Sequence, residues 1–232
     1  MKRAAAWRAL ALALSALPIG GCEVALLAGG LAQNFEYQKV VEVLPQYRGL
    51  EGKMVAVVVN ADPVTLYEHP LLARQVAGGV SLRINEYVPG VKVVNPDAVL
   101  AWQFNTAEWS ALPYGDLCKA LDVDRVVYID LYEYRLNPPG DSYIWEGVSA
   151  ATIGVIEREN IDPDFFAETM EVVAEFPDRS NVTRDELDPQ RMEIGLLHMF
   201  IQETAFLFHR HLRPKHPDKY LGPAIEQPRP AT

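Results

Sequence analysis

A continuous run of apolar, mostly β-branched residues is the feature that most constrains the fold of this chain. It reads Lys-Met-Val-Ala-Val-Val-Val-Asn from Lys53 to Asn60 and stops at Ala61-Asp62-Pro63. A strand with one face in solvent alternates apolar and polar residues, whereas an unbroken run is typical of a strand buried on both faces. The run therefore predicts a strand in the interior of a sheet.

The residues after this run predict an alternation of helices and strands. Apolar residues at helical spacing indicate a helix from Leu71 to Val88, in which Gly78-Gly79 suggests close packing. Asn95-Pro96 is typical of an N-cap followed by proline at the first helical position. The predicted elements that follow the first helix are a strand at 91–94, helices at 95–104 and 113–121, strands at 124–136, 143–157 and 170–176, and a helix from 188 to about 212.

This order of elements predicts an α/β fold with one mixed sheet and helices packed on it. A strand, a crossover helix and a second strand form a right-handed parallel unit. The strong turn signal Asn137-Pro138-Pro139-Gly140-Asp141 predicts a hairpin, so the later strands are expected to be antiparallel. We expect the α/β domain to occupy residues 51–212.

The amino terminus has the organisation of a secretory signal. Met1 to Arg8 is basic, Ala9 to Leu17 is apolar but too short to span a bilayer, and small residues precede Cys22. The segment resembles the bacterial lipoprotein signal, which implies cleavage after residue 21 and acyl chains on Cys22. The alternative is an ordinary cleaved signal in which Cys22 is incidental.

The segments that flank the predicted domain have their own composition. Residues 22–50 are interpreted as a tether of partial helix, and residues 213–232 as a flexible proline-rich tail. In the lipoproteins that the signal resembles, a residue other than aspartate after the cysteine favours the outer membrane. Here that residue is Glu23.

The charge of the chain limits its partners. The formal net charge is −10, whereas nucleic-acid binding depends mainly on clustered Lys and Arg. An acidic protein is also repelled by anionic lipid head groups, so any membrane attachment must come from acyl chains on Cys22. We expect other envelope proteins as partners and no nucleic acid.

Two stretches carry a family likeness over roughly residues 50–177. Residues 52–59 resemble the opening strand, and residues 117–129 resemble the second helix–strand hallmark, of one superfamily. It contains the TolB amino-terminal domain, the curli-secretion lipoprotein and the lipoprotein activators of penicillin-binding proteins. The region between Trp102 and Trp109 is similar to lipoproteins of unknown role in planctomycete-type bacteria. The resemblance implies an envelope protein that binds other proteins and has no common catalytic site.

No pattern of chemistry-bearing residues predicts an enzyme, a metal site or a cofactor other than the covalent lipid. His198, His209 and His211 lack the spacing of a helical zinc pair. Ser149 follows Gly147-Val148 inside a strand pattern rather than at the strand-to-helix turn of a nucleophile elbow. Cys118 is expected to be a small buried residue.

Aromatic residues cluster around the predicted hairpin. Tyr128, Tyr132 and Tyr134 are predicted to share one face of a strand, because they are separated by even numbers of residues, and Tyr143 and Trp145 lie just across the turn. Such residues either fill a core or anchor an interface. Both interpretations stay open here, and Tyr132, Tyr134, Tyr143 and Trp145 are the predicted partner-binding residues.

These features predict a lipid-anchored adaptor or scaffold of the cell envelope that faces the periplasm. One alternative is a subunit of a curli-like secretion complex, in which the strands at 143–157 and 169–176 would become membrane hairpins. A second alternative is an envelope hydrolase that uses Ser149 and His198.

Overall fold

A computed structural model describes residues 36–160, 162, 165–220 and 225. The signal segment and Cys22 lie outside the described residues, so the lipid anchor stays a prediction. The described residues divide into two compact units, a smaller one from 36–42 with 212–220 and 225, and a larger one from 43–211. The predicted boundaries of tether, domain and tail are likewise untested.

The larger unit carries the predicted mixture of helices and strands. Its described strands are β2 (Met54–Ala61), β3 (Lys92–Val93), β4 (Arg125–Arg135), β5 (Ile144–Trp145), β6 (Gly147–Glu157), β7 (Glu168–Phe176) and β8 (Val182–Thr183). Its described helices are α1 (Pro63–Glu68), α2 (Leu72–Tyr87), α3 (Pro96–Asn105), α4 (Tyr114–Ala120) and α5 (Pro189–Phe206). A short 3₁₀ turn, Trp109–Ala111, precedes α4.

Within the described part of this unit, five strands form one mixed sheet in the order β3-β2-β4-β6-β7. β2 is parallel to both β3 and β4, while β6 is antiparallel to β4 and to β7. The predicted fold class, a mixed α/β sheet with helices packed on it, is therefore confirmed.

Side chains of β2 alternate between two cores, one on each face of the sheet. Val55, Val57 and Val59 belong to the larger core, together with buried residues of α2 and α5. Ala56 and Val58 belong to a smaller core that includes Val99 of α3 and Leu117 and Cys118 of α4. The unbroken apolar run is explained by this double burial.

Three helices begin at a side chain that caps the first turn, each followed by a proline. The carboxylate of Asp62 accepts the Val64 amide at 2.8 Å, and the Asn95 side chain accepts the Asp97 amide at 2.9 Å. Asp188 accepts the Arg191 amide at 3.0 Å. The first N–H groups of a helix have no acceptor within the helix, and the oxygen of the capping side chain accepts one of them. Proline at the first helical position has no N–H group that would be left unpaired there. The sequence signal at Asn95-Pro96 is thus confirmed.

Two predicted elements end differently in the structure. The last helix was expected to reach about Leu212, but α5 ends at Phe206 and a strand, β9 (His211–Pro214), follows. The predicted strand 143–157 is interrupted at Glu146, because β5 pairs with β8 while β6 pairs with β4 and β7. The spacing of apolar residues does not predict either change, because both depend on which strand lies next to the segment.

In the smaller unit, β1 (Val40–Val43) pairs with β9 as a two-stranded sheet. Glu36 forms ion pairs with Lys39 and Lys215, which hold the pKa of its carboxyl at about 2. The Lys215 amide donates to the Lys39 carbonyl at 2.8 Å. A short 3₁₀ turn follows at Pro217–Lys219.

The two neighbouring glycines of α2 give a matched stability test. A Cβ at Gly78 would meet nothing within 4 Å, whereas one at Gly79 would collide with the Ile201 side chain of α5. Gly78→Ala is expected to raise the free energy of unfolding by about 1 kcal/mol, because alanine has the higher helix propensity. Gly79→Ala should be less stable than Gly78→Ala in urea unfolding, and equal stability of the two would contradict the packing.

Candidate interaction surface

Within the described part of the chain, helices cover one face of the sheet only in part. On this face α3, α4 and the Trp109–Ala111 turn lie over the smaller core, together with Tyr128 and Phe166. The ring of Phe166 occupies the space beside Gly154 of β6 and marks the limit of the covered part. Beyond it, several side chains of β4 and β7 on the same face are exposed.

We call this uncovered region the open face. It is made of three cross-strand rows that run through β4, β6 and β7, and β-sheet register places the members of each row side by side. The rows are Asp130–Thr152–Glu171, Glu133–Ala150–Val173 and Arg135–Val148–Glu175. The small central residues are largely buried, while Asp130, Glu171, Val173 and Glu175 are exposed. The open face is therefore a shallow surface with an acidic border.

Tyr132 is exposed beside this surface, and a β-bulge separates it from Tyr134. The register of β4 against β6 shifts between Leu131 and Glu133, which leaves Tyr132 as the extra residue. Tyr132 is 55% exposed, whereas Tyr134 is 9% exposed and lies in the larger core on the other face. The prediction that Tyr128, Tyr132 and Tyr134 share one face was wrong, because the bulge inverts the alternation after Leu131.

Tyr134 has a structural environment rather than a surface one. Its ring packs edge-on against His69 at a centroid distance of 4.8 Å, and burial raises the pKa of its phenol. Its hydroxyl has no hydrogen-bond partner among the described residues. Tyr134 is thus not available to a partner on the open face in this arrangement.

The two aromatic residues across the turn also differ in exposure. Trp145 is 2% exposed, its indole Nε1 donates to the Leu187 carbonyl at 2.6 Å, and the Arg184 guanidinium lies 4.6 Å from its ring centroid. Tyr143 is half exposed and donates to the Asp185 carboxylate, which raises the pKa of the phenol. Of the four predicted partner-binding residues, the structure leaves Tyr132 and Tyr143 at the surface and buries Tyr134 and Trp145.

Arg135 fixes the end of the hairpin beside the open face. Its Nε donates to Glu133 at 2.8 Å, and its Nη1 donates to the carbonyls of Asn137 and Glu146 at 3.1 and 2.9 Å. The Nη2 atom adds a bond to the Glu146 carboxylate at 3.3 Å. The positive charge of Arg135 is therefore already neutralised, and Asp130, Glu171 and Glu175 dominate the electrostatics of the surface.

A cavity of about 390 Å³ continues the open face at this end. Its lining shares Arg135, Val148 and Glu175 with the open face and adds Trp145 and the segment from Phe176 to Asn181. The volume is at the low end for small-molecule sites. Because its wall is continuous with the rows of the sheet, we treat it as the concave end of one surface.

The residues considered as candidates for catalysis or metal binding do not come together in the described part of the chain. Ser149 is fully buried and its Oγ has no partner among the described residues, while His198 is exposed on α5. Cys118 is buried as predicted, and burial raises the pKa of its thiol to about 11. In the described ranges we find no group of three His, Cys, Asp or Glu residues placed to hold a metal ion. Nor does a helix there have the length and hydropathy of a membrane span.

Sequence reasoning missed most of the open face. The alternation around Glu171 and Glu175 predicts a strand with a polar side, but it does not say that this side stays uncovered. The sequence pattern does not identify Asp130 or Val173 as residues of an exposed surface. A strand residue that breaks the apolar run, such as Asp130, is the one signal from which the limit of the covered region could have been inferred.

Comparisons with known proteins give only distant similarity. No protein-family model matches the chain, and no curated protein matches it. A PelC dodecamer from Paraburkholderia phytofirmans is 12% identical, with a TM-score of 0.42 over 74% of this chain and 97% of the PelC chain. Lipoprotein GNA1162 from Neisseria meningitidis is 15% identical, with a TM-score of 0.38 over 65% of this chain and 92% of its own.

A third solved structure is similar at the same level. It is the hypothetical protein CT253 from Chlamydia trachomatis, 13% identical with a TM-score of 0.37 over 66% of this chain and 95% of its own. All three TM-scores are below 0.5, so these similarities assign neither a fold nor a function to this chain. The resemblance to the TolB and curli-secretion superfamily stays a prediction.

Substitutions at Trp145 and Tyr132 separate a core role from a surface role. Trp145→Ala is expected to lower the free energy of unfolding by about 3–5 kcal/mol, because it removes a fully buried ring. Tyr132→Ala should change it by less than about 0.5 kcal/mol, since its ring is exposed. Chemical denaturation measures both, and a large loss for Tyr132→Ala would mean that this ring stabilises the fold.

Proposed function

We propose that this chain is a protein-binding adaptor of the bacterial cell envelope, anchored by acyl chains on Cys22 and docking a neighbour on the open face. The observation that carries the proposal is the uncovered part of the sheet, where Tyr132 and Val173 are each 55% exposed. Exposed aromatic and aliphatic side chains on a rigid sheet supply the anchors that protein interfaces use.

The anchor and the docking surface have separate physical bases. Several acyl chains, each methylene contributing about 0.8 kcal/mol on burial in lipid, hold a protein to a membrane independently of its charge. The acidic chain is not attracted electrostatically to anionic lipid head groups. The amino-terminal lipid would thus hold the protein in the outer membrane, facing the periplasm, while the domain remains free to bind a partner protein.

The two alternative functions receive less support from the geometry. In this fold β6 and β7 pair along nine registered positions and contribute buried side chains to the core, so membrane hairpins would require the sheet to separate. For the hydrolase, Ser149 is enclosed and makes no hydrogen bond to a base among the described residues. The adaptor function, by contrast, requires no change in the fold.

Replacing Cys22 tests the anchor. Cys22→Ala removes the thiol that would carry the acyl chains, so the protein should move from the membrane fraction to the soluble fraction and lose incorporation of labelled palmitate. Cys118→Ala serves as the matched control and should leave both unchanged. Membrane retention of the Cys22→Ala protein without a lipid label would contradict the anchor.

A photo-crosslinking amino acid at Tyr132 tests the docking surface in intact cells. We expect a discrete crosslinked protein at position 132 and none at Leu82, which is exposed on α2. The contrast follows because α2 packs against the opposite face of the sheet. Equal crosslinking at both positions, or crosslinking at Leu82 alone, would contradict an interface on the open face.

A further inference from the structure

We propose that the outer edge of β7 accepts an added strand from the partner, an extended segment in which basic residues alternate with apolar ones. This inference rests on the proposed adaptor function and names the chemistry of the partner. It is carried by the backbone geometry of β7 and by the different character of its two sides.

β7 presents an unpaired edge. Its nine residues are antiparallel to β6 from Glu168, opposite Val155, to Phe176, opposite Gly147. In an antiparallel pair, every second residue directs its N–H and C=O groups away from the neighbouring strand. Within the described part of the chain, no other element pairs with these groups. The opposite edge of the sheet is β3, with only two residues.

The two sides of β7 specify different neighbours. On the open face it exposes Glu171, Val173 and Glu175, whereas Met170, Val172 and Ala174 are buried under α5. Side chains of adjacent strands align in cross-strand pairs on each face. An added strand would therefore place alternate residues beside the glutamates and the remaining residues beside the core under α5.

Charge complementarity selects a basic partner strand. Glu171 and Glu175 lie at the edge, and Asp130 lies in the same row as Glu171, two strands away. Arg135 is paired with Glu133 and Glu146, so it does not offset these carboxylates. Lysine or arginine side chains opposite Glu171 and Glu175 would form cross-strand ion pairs, which stabilise adjacent strands.

A second copy of this chain fits the edge less well. Two β7 edges would bring the glutamates of both copies together, and the formal net charge of −10 adds a general repulsion. Charged residues on an edge strand are also a known protection against indiscriminate pairing between sheets. The same glutamates that discourage self-association would thus admit a segment of opposite charge.

Synthetic peptides test this edge directly. The probe is a nine-residue peptide of alternating lysine and valine, measured against the mature chain by fluorescence anisotropy at 0.15 M salt. Amide hydrogen exchange reports where it binds, and we expect slower exchange in 168–176. A peptide with N-methyl groups on alternate backbone amides should lose binding, because methylation removes the ladder hydrogen bonds.

A matched pair of charge reversals isolates the role of the glutamates. Glu171→Lys with Glu175→Lys should weaken binding of the lysine–valine peptide by about tenfold, since two cross-strand attractions become repulsions. Glu51→Lys with Glu68→Lys changes the net charge equally at exposed positions elsewhere and should weaken binding less than about twofold.

Four outcomes would overturn the added strand. They are equal weakening by the two charge reversals, undiminished binding of the N-methylated peptide, unchanged exchange in 168–176, and a dimer of the free protein with β7 already protected. The adaptor is judged separately by the crosslink at position 132. If a crosslinked protein is found at position 132 while any of these four outcomes occurs, the adaptor function is supported and the strand addition is excluded.

Discussion

The burial of β2 on both faces is the constraint on which the rest of the larger unit depends. Its side chains belong alternately to two cores, so each face of the sheet needs its own layer of helices near this strand. Burial of an apolar side chain stabilises the fold by about 1.5–3 kcal/mol, and here that gain requires cover on both sides. The helices α2 and α5 supply one layer, and α3 and α4 supply the other.

The open face results from unequal lengths in this arrangement. β4 and β6 each contain 11 residues, whereas α4 contains seven. Its Cys118 packs in the smaller core with Ile156, which lies near the end of β6. Among the described residues, the sheet therefore extends beyond the helices on this face. Polar side chains occur at the positions left uncovered, which makes the surface compatible with solvent while Tyr132 and Val173 remain available for contact.

The four aromatic residues predicted to bind a partner have two different environments. Tyr134 and Trp145 are buried, whereas Tyr132 and Tyr143 are exposed. Sequence reasoning treated Tyr132, Tyr134, Tyr143 and Trp145 as one group, because alternation and proximity to the turn were the only guides. The bulge after Leu131 separates Tyr132 from Tyr134. Trp145 is buried in β5, which pairs with β8, whereas Tyr143 precedes β5 and is half exposed. A change of one residue in register moves a side chain to the other face of the sheet.

Local sequence determined the elements, since apolar spacing and capping residues act within a few positions. The strand from Lys53 to Asn60, the helix starts at Asn95 and Asp188 and the hairpin turn at 137–141 are of this kind. The mixed sheet followed from their order. The bulge at Tyr132, the end of α5 at Phe206 and the uncovered edge of β7 were decided by tertiary structure. Each depends on which distant segment packs alongside, and that information is not contained in a local pattern.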